Sequence, residues 1–144
     1  MKIILDTNFL IYCMKEKLDY LEEIQNLIND RYELVVPEQV INELIKIKHK
    51  KKEKIFLYKK RPKFKKTTGK DKEAADIALQ LIDKFVKEGK LKKVTSEGKT
   101  VDDVLMNLAK ENPKNIVCTL DREMRKKLSR VILLNRNKKL IITR

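Results

Sequence analysis

The fold of this chain is decided near its start by the stretch Ile3-Ile4-Leu5-Asp6-Thr7-Asn8. The apolar run suits a short buried strand, Lys2 to Leu5, and Asp6 interrupts it at once. The residues that follow, Thr7 to Lys15, predict a buried first helix. A strand that passes through an acid into a helix is typical of an α/β fold, and it places Asp6 at the carboxyl end of the strand.

The rest of the chain alternates between the same two kinds of element. The predicted strands are Lys2 to Leu5, Glu33 to Val36, a weak Leu91 to Val94, Asn115 to Thr119, Val131 to Leu134 and Leu140 to Ile142. The predicted helices are Thr7 to Lys15, Leu18 to Ile28, Glu38 to Lys48, Asp71 to Lys87, the helix capped by Thr100 that runs to about Asn112, and Asp121 to Leu128. This alternation predicts an α/β fold with three layers, α/β/α, around a central parallel sheet of about four or five strands.

Length and composition bound the class of protein. A chain of 144 residues is expected to form a single domain, residues 1–144, and its 42% hydrophobic residues exclude wholesale disorder. No window approaches the roughly 20 apolar residues that a membrane crossing requires, so we expect a soluble, cytoplasmic protein with no membrane partner. Cys13, Cys118 and the single histidine, His49, are too few for a disulfide framework, a four-ligand zinc site or a Ser-His-Asp triad.

Three further stretches pair a carboxylate with an apolar element. They are Val40-Ile41-Asn42-Glu43-Leu44, Val101-Asp102-Asp103-Val104-Leu105 and Val117-Cys118-Thr119-Leu120-Asp121. The carboxyl ends of parallel strands meet at one edge of a sheet, so the acids that follow strands should point into a common crevice. Acids beside core positions are unfavourable unless cations or hydrogen-bond donors compensate them. In a chain of formal net charge +14, such a gathering of acids points to a divalent metal that acts on a phosphodiester.

Each acid also has an ordinary structural interpretation. Asp6 and Asp121 could cap the helices that follow them, and Asp102 or Asp103 could favour the positive end of a helix dipole. Glu43 could extend to solvent from the middle of its helix. Any one of these interpretations is reasonable alone, but the four acids taken together favour the metal site.

One segment, residues 46–70, carries most of the positive charge. It holds thirteen Lys and Arg residues against the single acid Glu53, with Phe56, Tyr58 and Phe64 interleaved. The segment is either a solvated, flexible loop that keeps the protein soluble or an arm that follows phosphates and stacks bases, and its aromatic residues favour the arm. The residues predicted to bind RNA are Lys50, Lys51, Lys52, Lys54, Lys59, Lys60, Arg61, Lys63, Lys65 and Lys66, together with Arg122 and Arg125.

In their order and spacing, the four acidic motifs resemble those of the PIN-domain ribonucleases. The resemblance covers nearly the whole chain. It runs from Leu5-Asp6-Thr7-Asn8 through Val36 to Leu44, then through Val101-Asp102-Asp103 with Leu105 and Ala109, to Cys118 to Glu123.

The resemblance implies roles for the residues of these motifs. It implies that Asp6, Glu43, Asp102 and Asp121 hold Mg²⁺ or Mn²⁺, with Asp103 as a less favoured substitute for Asp102. A metal-activated water would attack phosphorus in line and leave a 5′-phosphate and a 3′-hydroxyl. The orienting groups implied in this way are Thr7, Asn8 and Thr119, whereas Glu123 is either an outer ligand or a residue that favours a helix N-terminus.

Other functions compete with RNA cleavage. A phosphoaspartyl hydrolase would need a second Asp two positions after Asp6, where this chain has Asn8. A dinucleotide-binding turn would need a glycine cluster, which Gly69, Gly89 and Gly98 cannot form. The non-enzymatic alternative is a PIN-fold protein that binds RNA without cleaving it.

Two cellular roles fit the ribonuclease interpretation. The stretches Val36 to Leu44 and Asp121 to Lys127 look closer to PIN endonucleases that process ribosomal RNA, which is the role we favour from the sequence. The alternative is a VapC-type toxin ribonuclease of a toxin-antitoxin module, whose partner would be an antitoxin protein. RNA is the expected partner in both cases, and a homodimer is expected by resemblance.

Overall fold

Six strands and six helices alternate along residues 1–50 and 69–143, which are the residues that the computed structural model describes. The strands are β1 (Lys2–Leu5), β2 (Glu33–Pro37), β3 (Lys92–Val94), β4 (Ile116–Cys118), β5 (Val131–Leu134) and β6 (Leu140–Thr143). The helices are α1 (Thr7–Lys15), α2 (Tyr20–Leu27), α3 (Glu38–His49), α4 (Gly69–Lys87), α5 (Val101–Lys110) and α6 (Arg122–Lys127).

The strands form one sheet in the order β3-β2-β1-β4-β5-β6. Every neighbouring pair is parallel except β5 and β6, which are antiparallel. The predicted α/β class with a central, mostly parallel sheet is therefore confirmed. The sheet has six strands rather than four or five, because the weak third strand does form and β6 adds an edge. β6 runs antiparallel because residues 135–139 are too few for a crossover connection.

Successive side chains of β1 enter two different cores, as the period of a strand requires. Ile3 and Leu5 pack in the larger core with residues of α1, α2, α3 and α4, whereas Ile4 packs in a smaller core with residues of α5 and α6. The sheet is thus covered on both faces, which explains why its central strands are continuously apolar. The three-layer α/β/α arrangement predicted from the sequence is confirmed.

The winding of the sheet reverses between β1 and β4. From β1, the chain order runs outward through β2 and β3 on one side and through β4 and β5 on the other. Leu5 is paired with Cys118 at the carboxyl ends of these two strands. In open parallel sheets such a reversal leaves a crevice outside the strand ends, where ligands bind. The residues that follow Leu5 and Cys118 therefore lie where this fold usually binds a ligand.

Two further observations concern the extent of the chain. None of the helices in the two described ranges combines the length and apolar character needed to cross a bilayer. Of the basic segment, only residues 46–50 and 69–70 are described, so the predicted RNA-binding residues from Lys51 to Lys66 lie outside the described residues.

Candidate active site

Asp6 stands at the carboxyl end of β1 and begins α1. Its side chain is 5% exposed, and one oxygen accepts a hydrogen bond from the Thr7 backbone N–H at 2.7 Å. The other oxygen accepts a hydrogen bond from the Thr119 hydroxyl, also at 2.7 Å. The Asp6 backbone N–H donates to the carbonyl of Cys118, so the ends of β1 and β4 are held together. Asp6 is thus a helix cap and, within residues 1–50 and 69–143, the only buried carboxylate.

Ionisation of Asp6 is unfavourable at this position. Burial raises the pKa of the Asp6 carboxyl from 3.8 to about 6, although hydrogen bonds from Thr119 and Thr7 act in the opposite direction. The charges of Glu43 and Asp102 raise the pKa further. At neutral pH the Asp6 carboxylate therefore favours any cation that can reach it.

Glu43 lies in the middle of α3 and is half-buried. Burial and the charge of Asp102 raise its pKa, whereas the Thr7 hydroxyl and the charge of Lys46 lower it. These neighbours place the carboxyl of Glu43 beside the start of α1 rather than out in solvent. The interpretation in which Glu43 simply extends to water does not fit this environment.

The Thr7 hydroxyl lies between these acids. Its oxygen is buried, and no described residue meets it with full hydrogen-bond geometry, although the hydroxyl is close enough to Glu43 to lower the pKa of that carboxyl. A buried hydroxyl without a well-placed partner calls for an explanation, and an ordered water or a hydrated ion is one. Thr7 therefore marks a position where water or a hydrated ion would be well accommodated.

Asp102 and Asp103 lie in the first turn of α5. Thr100 caps this helix by accepting a hydrogen bond from the Asp103 backbone N–H at 3.1 Å, and both Asp side chains are exposed. Asp102 is the one whose charge acts on Asp6 and on Glu43. Of the two neighbours, Asp102 is therefore the better candidate for a shared cation.

Asp121 follows β4 and begins α6. Its carboxylate caps α6 by accepting hydrogen bonds from the backbone N–H groups of Glu123 at 2.9 Å and Met124 at 3.5 Å. Its own backbone N–H donates to the Thr119 hydroxyl at 3.2 Å. Asp121 thus performs the capping role considered from the sequence and is joined to Asp6 through one hydroxyl group.

Asn8 ties the loops after β1 and β4 together. Its side-chain oxygen accepts a hydrogen bond from the Leu120 backbone N–H at 3.1 Å and lies 3.5 Å from the Thr119 hydroxyl. The single proton of Thr119 is better placed on Asp6, at 2.7 Å. These hydrogen bonds are compatible with the orienting roles expected for Asn8 and Thr119, which stay predictions.

The donor set suits a hydrated Mg²⁺ or Mn²⁺. Carboxylate and hydroxyl oxygens are the hard ligands that these cations prefer. Within residues 1–50 and 69–143, no three of the His, Cys, Asp and Glu side chains stand close enough together to ligate one ion directly. Mg²⁺ commonly keeps several waters and is held by only one or two carboxylates plus substrate phosphates, so three direct protein ligands are not required. These residues are therefore compatible with such an ion, which some of them would hold through water.

The remaining predicted residues lie around this centre in different ways. Lys50 is exposed after the end of α3, and Arg122 is exposed on α6, whereas Arg125 is half-buried. Glu123 is exposed in the first turn of α6 and forms a 3.5 Å ion pair with Lys126. The position of Glu123 in the first turn of α6 is compatible with both roles considered for it, an outer ligand or a residue that favours a helix N-terminus, and both stay predictions.

The sequence interpretation missed a cleft that adjoins the acids. We call it the Tyr12 cleft; its volume is about 330 Å³, and it is lined by Thr7, Asn8, Ile11, Tyr12, Lys15, Glu43, Ile47, Asp71 and Leu120. The first helix was predicted to be buried, but Asn8, Tyr12 and Lys15 are exposed on one side of α1. Their spacing of four and three residues places them on one helical face, which is a signal for the exposed side of α1 but not for the opposite wall of the cleft.

Comparisons with known proteins agree with this arrangement. A sequence profile of a family described as PIN-like domain matches residues 3–56 and 59–138. Ribonuclease VapC4 of Methanocaldococcus jannaschii is 33% identical over 127 residues, which cover 88% of this chain and 82% of that protein. The solved structure of the PIN domain endonuclease Utp24 is similar to this chain with a TM-score of 0.68, and the match covers 99% of this chain and 91% of that one. The two sequences are 18% identical, so the similarity is one of fold.

Proposed function

The chain belongs to the PIN-like domain family, and on that premise we propose that it is a ribonuclease that cleaves RNA phosphodiesters with the help of Mg²⁺ or Mn²⁺. Support comes from the relative named as a ribonuclease, which is similar over most of its length. It also comes from the acids themselves, which lie in a basic protein that will attract a polyanion.

The single observation that carries the proposal is the buried carboxylate of Asp6 beside two other acids. Burial raises its pKa to about 6, and Glu43 and Asp102 add like charge. Such an arrangement lowers the stability of a protein unless a cation compensates it, so it is more readily explained by function than by folding. A helix cap could have been provided by an exposed residue without this cost, as Asp19 does for α2.

In this proposal some residues of the site hold the metal ion and others orient them. Asp6, Glu43, Asp102 and Asp121 hold the ion, directly or through water, with Asp103 as the less favoured substitute for Asp102. The Thr119 hydroxyl donates a hydrogen bond to Asp6 and so fixes the orientation of that carboxylate. Asn8 holds the loop after β4 through Leu120. When bound, the ion would lower the pKa of a water, so that a nucleophile is available at neutral pH, and would neutralise negative charge on the phosphate. The products would carry a 5′-phosphate and a 3′-hydroxyl.

An RNA cleavage assay tests this proposal. Wild type should cleave with Mg²⁺ or Mn²⁺ and lose activity in a chelator, whereas Asp6→Asn should bind RNA with unchanged affinity and fail to cleave it. Asp30→Asn is the matched control, because it removes the same charge from an exposed position between α2 and β2, outside the four acidic motifs, and should retain cleavage. Equal binding by wild type and Asp6→Asn without any metal-dependent cleavage would favour the non-catalytic RNA-binding alternative.

The cellular role of the enzyme has two candidates. Processing of ribosomal RNA is the role favoured from the motifs, and the likeness to Utp24 concerns the fold alone. The name of the relative, Ribonuclease VapC4, supports the second candidate, a VapC-type toxin ribonuclease held inactive by an antitoxin. A small antitoxin-like reading frame beside the gene, whose product forms a complex with this chain and inhibits cleavage, would establish the second role. We also propose a homodimer, which light scattering of the purified protein would test.

A further inference from the structure

The Tyr12 cleft is continuous with the acid site. Two residues of its lining are neighbours of Asp6: the Thr7 backbone N–H donates a hydrogen bond to the Asp6 carboxylate, and the charge of Glu43 raises the pKa of Asp6. Clefts of about 650 and 450 Å³ elsewhere on the protein lie at the opposite edge of the sheet, where the strands begin, and both are lined by Tyr32 and Glu33. Position therefore distinguishes the Tyr12 cleft, since a substrate bound at the acids would extend into it.

The walls of the Tyr12 cleft are mostly apolar and its two ends are polar. Ile11, Ile47 and Leu120 supply aliphatic surface. Tyr12 is 37% exposed and is one of only three large hydrophobic residues exposed in the described ranges. One end is formed by Asn8, Thr7 and Glu43, and the other by the ion pair between Lys15 and Asp71. This pattern suits a flat ring with apolar faces and polar edges.

A nucleobase has that shape and that distribution of polarity. Aromatic side chains bind bases by stacking on their faces, largely independently of sequence. A base inside a duplex is stacked on both faces and paired along its edge, so only an unpaired base could enter a cleft of this kind. The volume of about 330 Å³ is near the lower limit of roughly 300 Å³ for small-molecule sites, which suits one base rather than several.

From these observations we propose that the Tyr12 cleft holds one unpaired base of single-stranded RNA, stacked on Tyr12, next to the phosphodiester bound at the acids. The inference deepens the proposed function and rests on it. Lys15 is held at the end of the cleft by its ion pair with Asp71, and its ammonium group would offer a hydrogen-bond donor to the edge of the base. The cleft would thereby give the enzyme a requirement for locally unpaired RNA.

The experiment is an equilibrium binding measurement that does not depend on cleavage. The Asp6→Asn protein is titrated, in chelator, into a short fluorescent single-stranded RNA of mixed sequence. The same titration is repeated with three double variants, in which Asp6→Asn is combined with Tyr12→Ala, Tyr12→Leu or Tyr12→Phe. Tyr12→Ala and Tyr12→Leu should weaken binding by roughly 5- to 150-fold, whereas Tyr12→Phe should stay within about twofold, because stacking needs the ring and not the hydroxyl. Binding to a duplex of the same sequence should not change with any of the three.

The matched control is Tyr32→Ala, which removes a partly exposed tyrosine from a cleft at the opposite edge of the sheet. It should leave RNA affinity unchanged, and thermal unfolding checks that each variant is folded. Abasic substitutions placed along the RNA then locate the stacked base. At one RNA position, loss of the base should weaken binding to the protein that has Tyr12. Loss of the same base should change the affinity of the Tyr12→Ala protein little, because the stacking contact is already absent there.

The outcomes separate this inference from the proposed function. If wild type cleaves RNA with metal but no abasic position is coupled to Tyr12, the inference is wrong and the proposed function stands. If no metal-dependent cleavage occurs while the coupling is found, the ribonuclease proposal is wrong and the cleft is still a base-binding site. A Tyr12→Leu protein that is folded and binds RNA as tightly as the protein with Tyr12 would also overturn the inference.

Discussion

Replacing the buried acid Asp6 by asparagine should make the metal-free protein more stable at neutral pH. Asparagine keeps an oxygen to accept the 2.7 Å hydrogen bond from the Thr7 N–H, and its amide N–H can donate to the Thr119 hydroxyl oxygen in place of the bond that Asp6 accepts. The substitution therefore removes the buried charge while the hydrogen-bonded geometry is largely preserved.

The magnitude follows from the pKa of Asp6. The folded-state pKa, about 6, lies above the ordinary value of 3.8, so the folded protein binds this proton more tightly than the unfolded chain does. The resulting stability is fully present below about pH 4 and is lost as the pH rises through about 6. Above pH 6 the rise of about two units in the pKa of Asp6 lowers the free energy of unfolding of wild type by about 3 kcal/mol. Asp6→Asn has no charge at this position and does not incur this loss.

The assay is urea unfolding of wild type and Asp6→Asn in chelator across pH 4 to 8. The difference in free energy of unfolding should grow in favour of Asp6→Asn by up to about 3 kcal/mol between pH 4 and 7. Adding Mn²⁺ at a hundred times its dissociation constant should stabilise wild type by about 2.7 kcal/mol and leave Asp6→Asn unchanged. Asp30→Asn, an exposed change of the same charge outside the acidic motifs, should stay within about 0.5 kcal/mol of wild type at every pH.

Two results would refute this reasoning. A pH-independent difference between the two proteins would mean that Asp6 is not held in an unfavourable ionised state. A loss of stability in Asp6→Asn of about 1 kcal/mol or more at pH 8 would mean that the carboxylate is retained chiefly as the cap of α1.

Three further perturbations test other parts of the site. Thr119→Val removes the donor to Asp6 and should lower both stability, by about 1–3 kcal/mol, and cleavage, as followed by thermal unfolding and a gel assay; normal cleavage would exclude an orienting role. Gly98→Ala should destabilise the start of α5, because the added Cβ would lie 2.8 Å from the Val104 backbone nitrogen. RNA cleavage should then fall because Asp102 is displaced, whereas wild-type cleavage would show that the loop adapts. Changing the lysines between Lys46 and Lys70 to glutamine should weaken RNA binding and flatten its dependence on salt while metal binding is retained; unchanged RNA affinity would mean that this segment serves only solubility.

The elements of this fold were readable from local patterns. Ile3, Ile4 and Leu5 form a run that is too short for a helix, and the structure has β1 there. The cap at Thr100 was also predicted, and it begins α5 as expected. These features depend on the chain within a few residues of each position, which is the range over which periodicity and capping act.

What could not be read from the sequence depends on distances across the fold. The prediction that four carboxylates gather stays a prediction. The structure brings Asp6, Glu43 and Asp102 within electrostatic range and joins Asp121 to them through Thr119, but ligand distances depend on side-chain rotamers that no local pattern sets. The Tyr12 cleft was missed for a similar reason, since its far wall comes from α3 and α4.

The hydrogen bond between Asp6 and Thr119 joins residues that are 113 positions apart. Protein synthesis proceeds from the N-terminus, so a growing chain acquires Asp6 before Thr119 and cannot assemble the crevice until β4 and the loop after it have left the ribosome. If the chain is the ribonuclease proposed above, it cannot cleave RNA before those residues have been synthesised. The order of synthesis would thus protect the messenger RNA and the ribosome up to that point in translation.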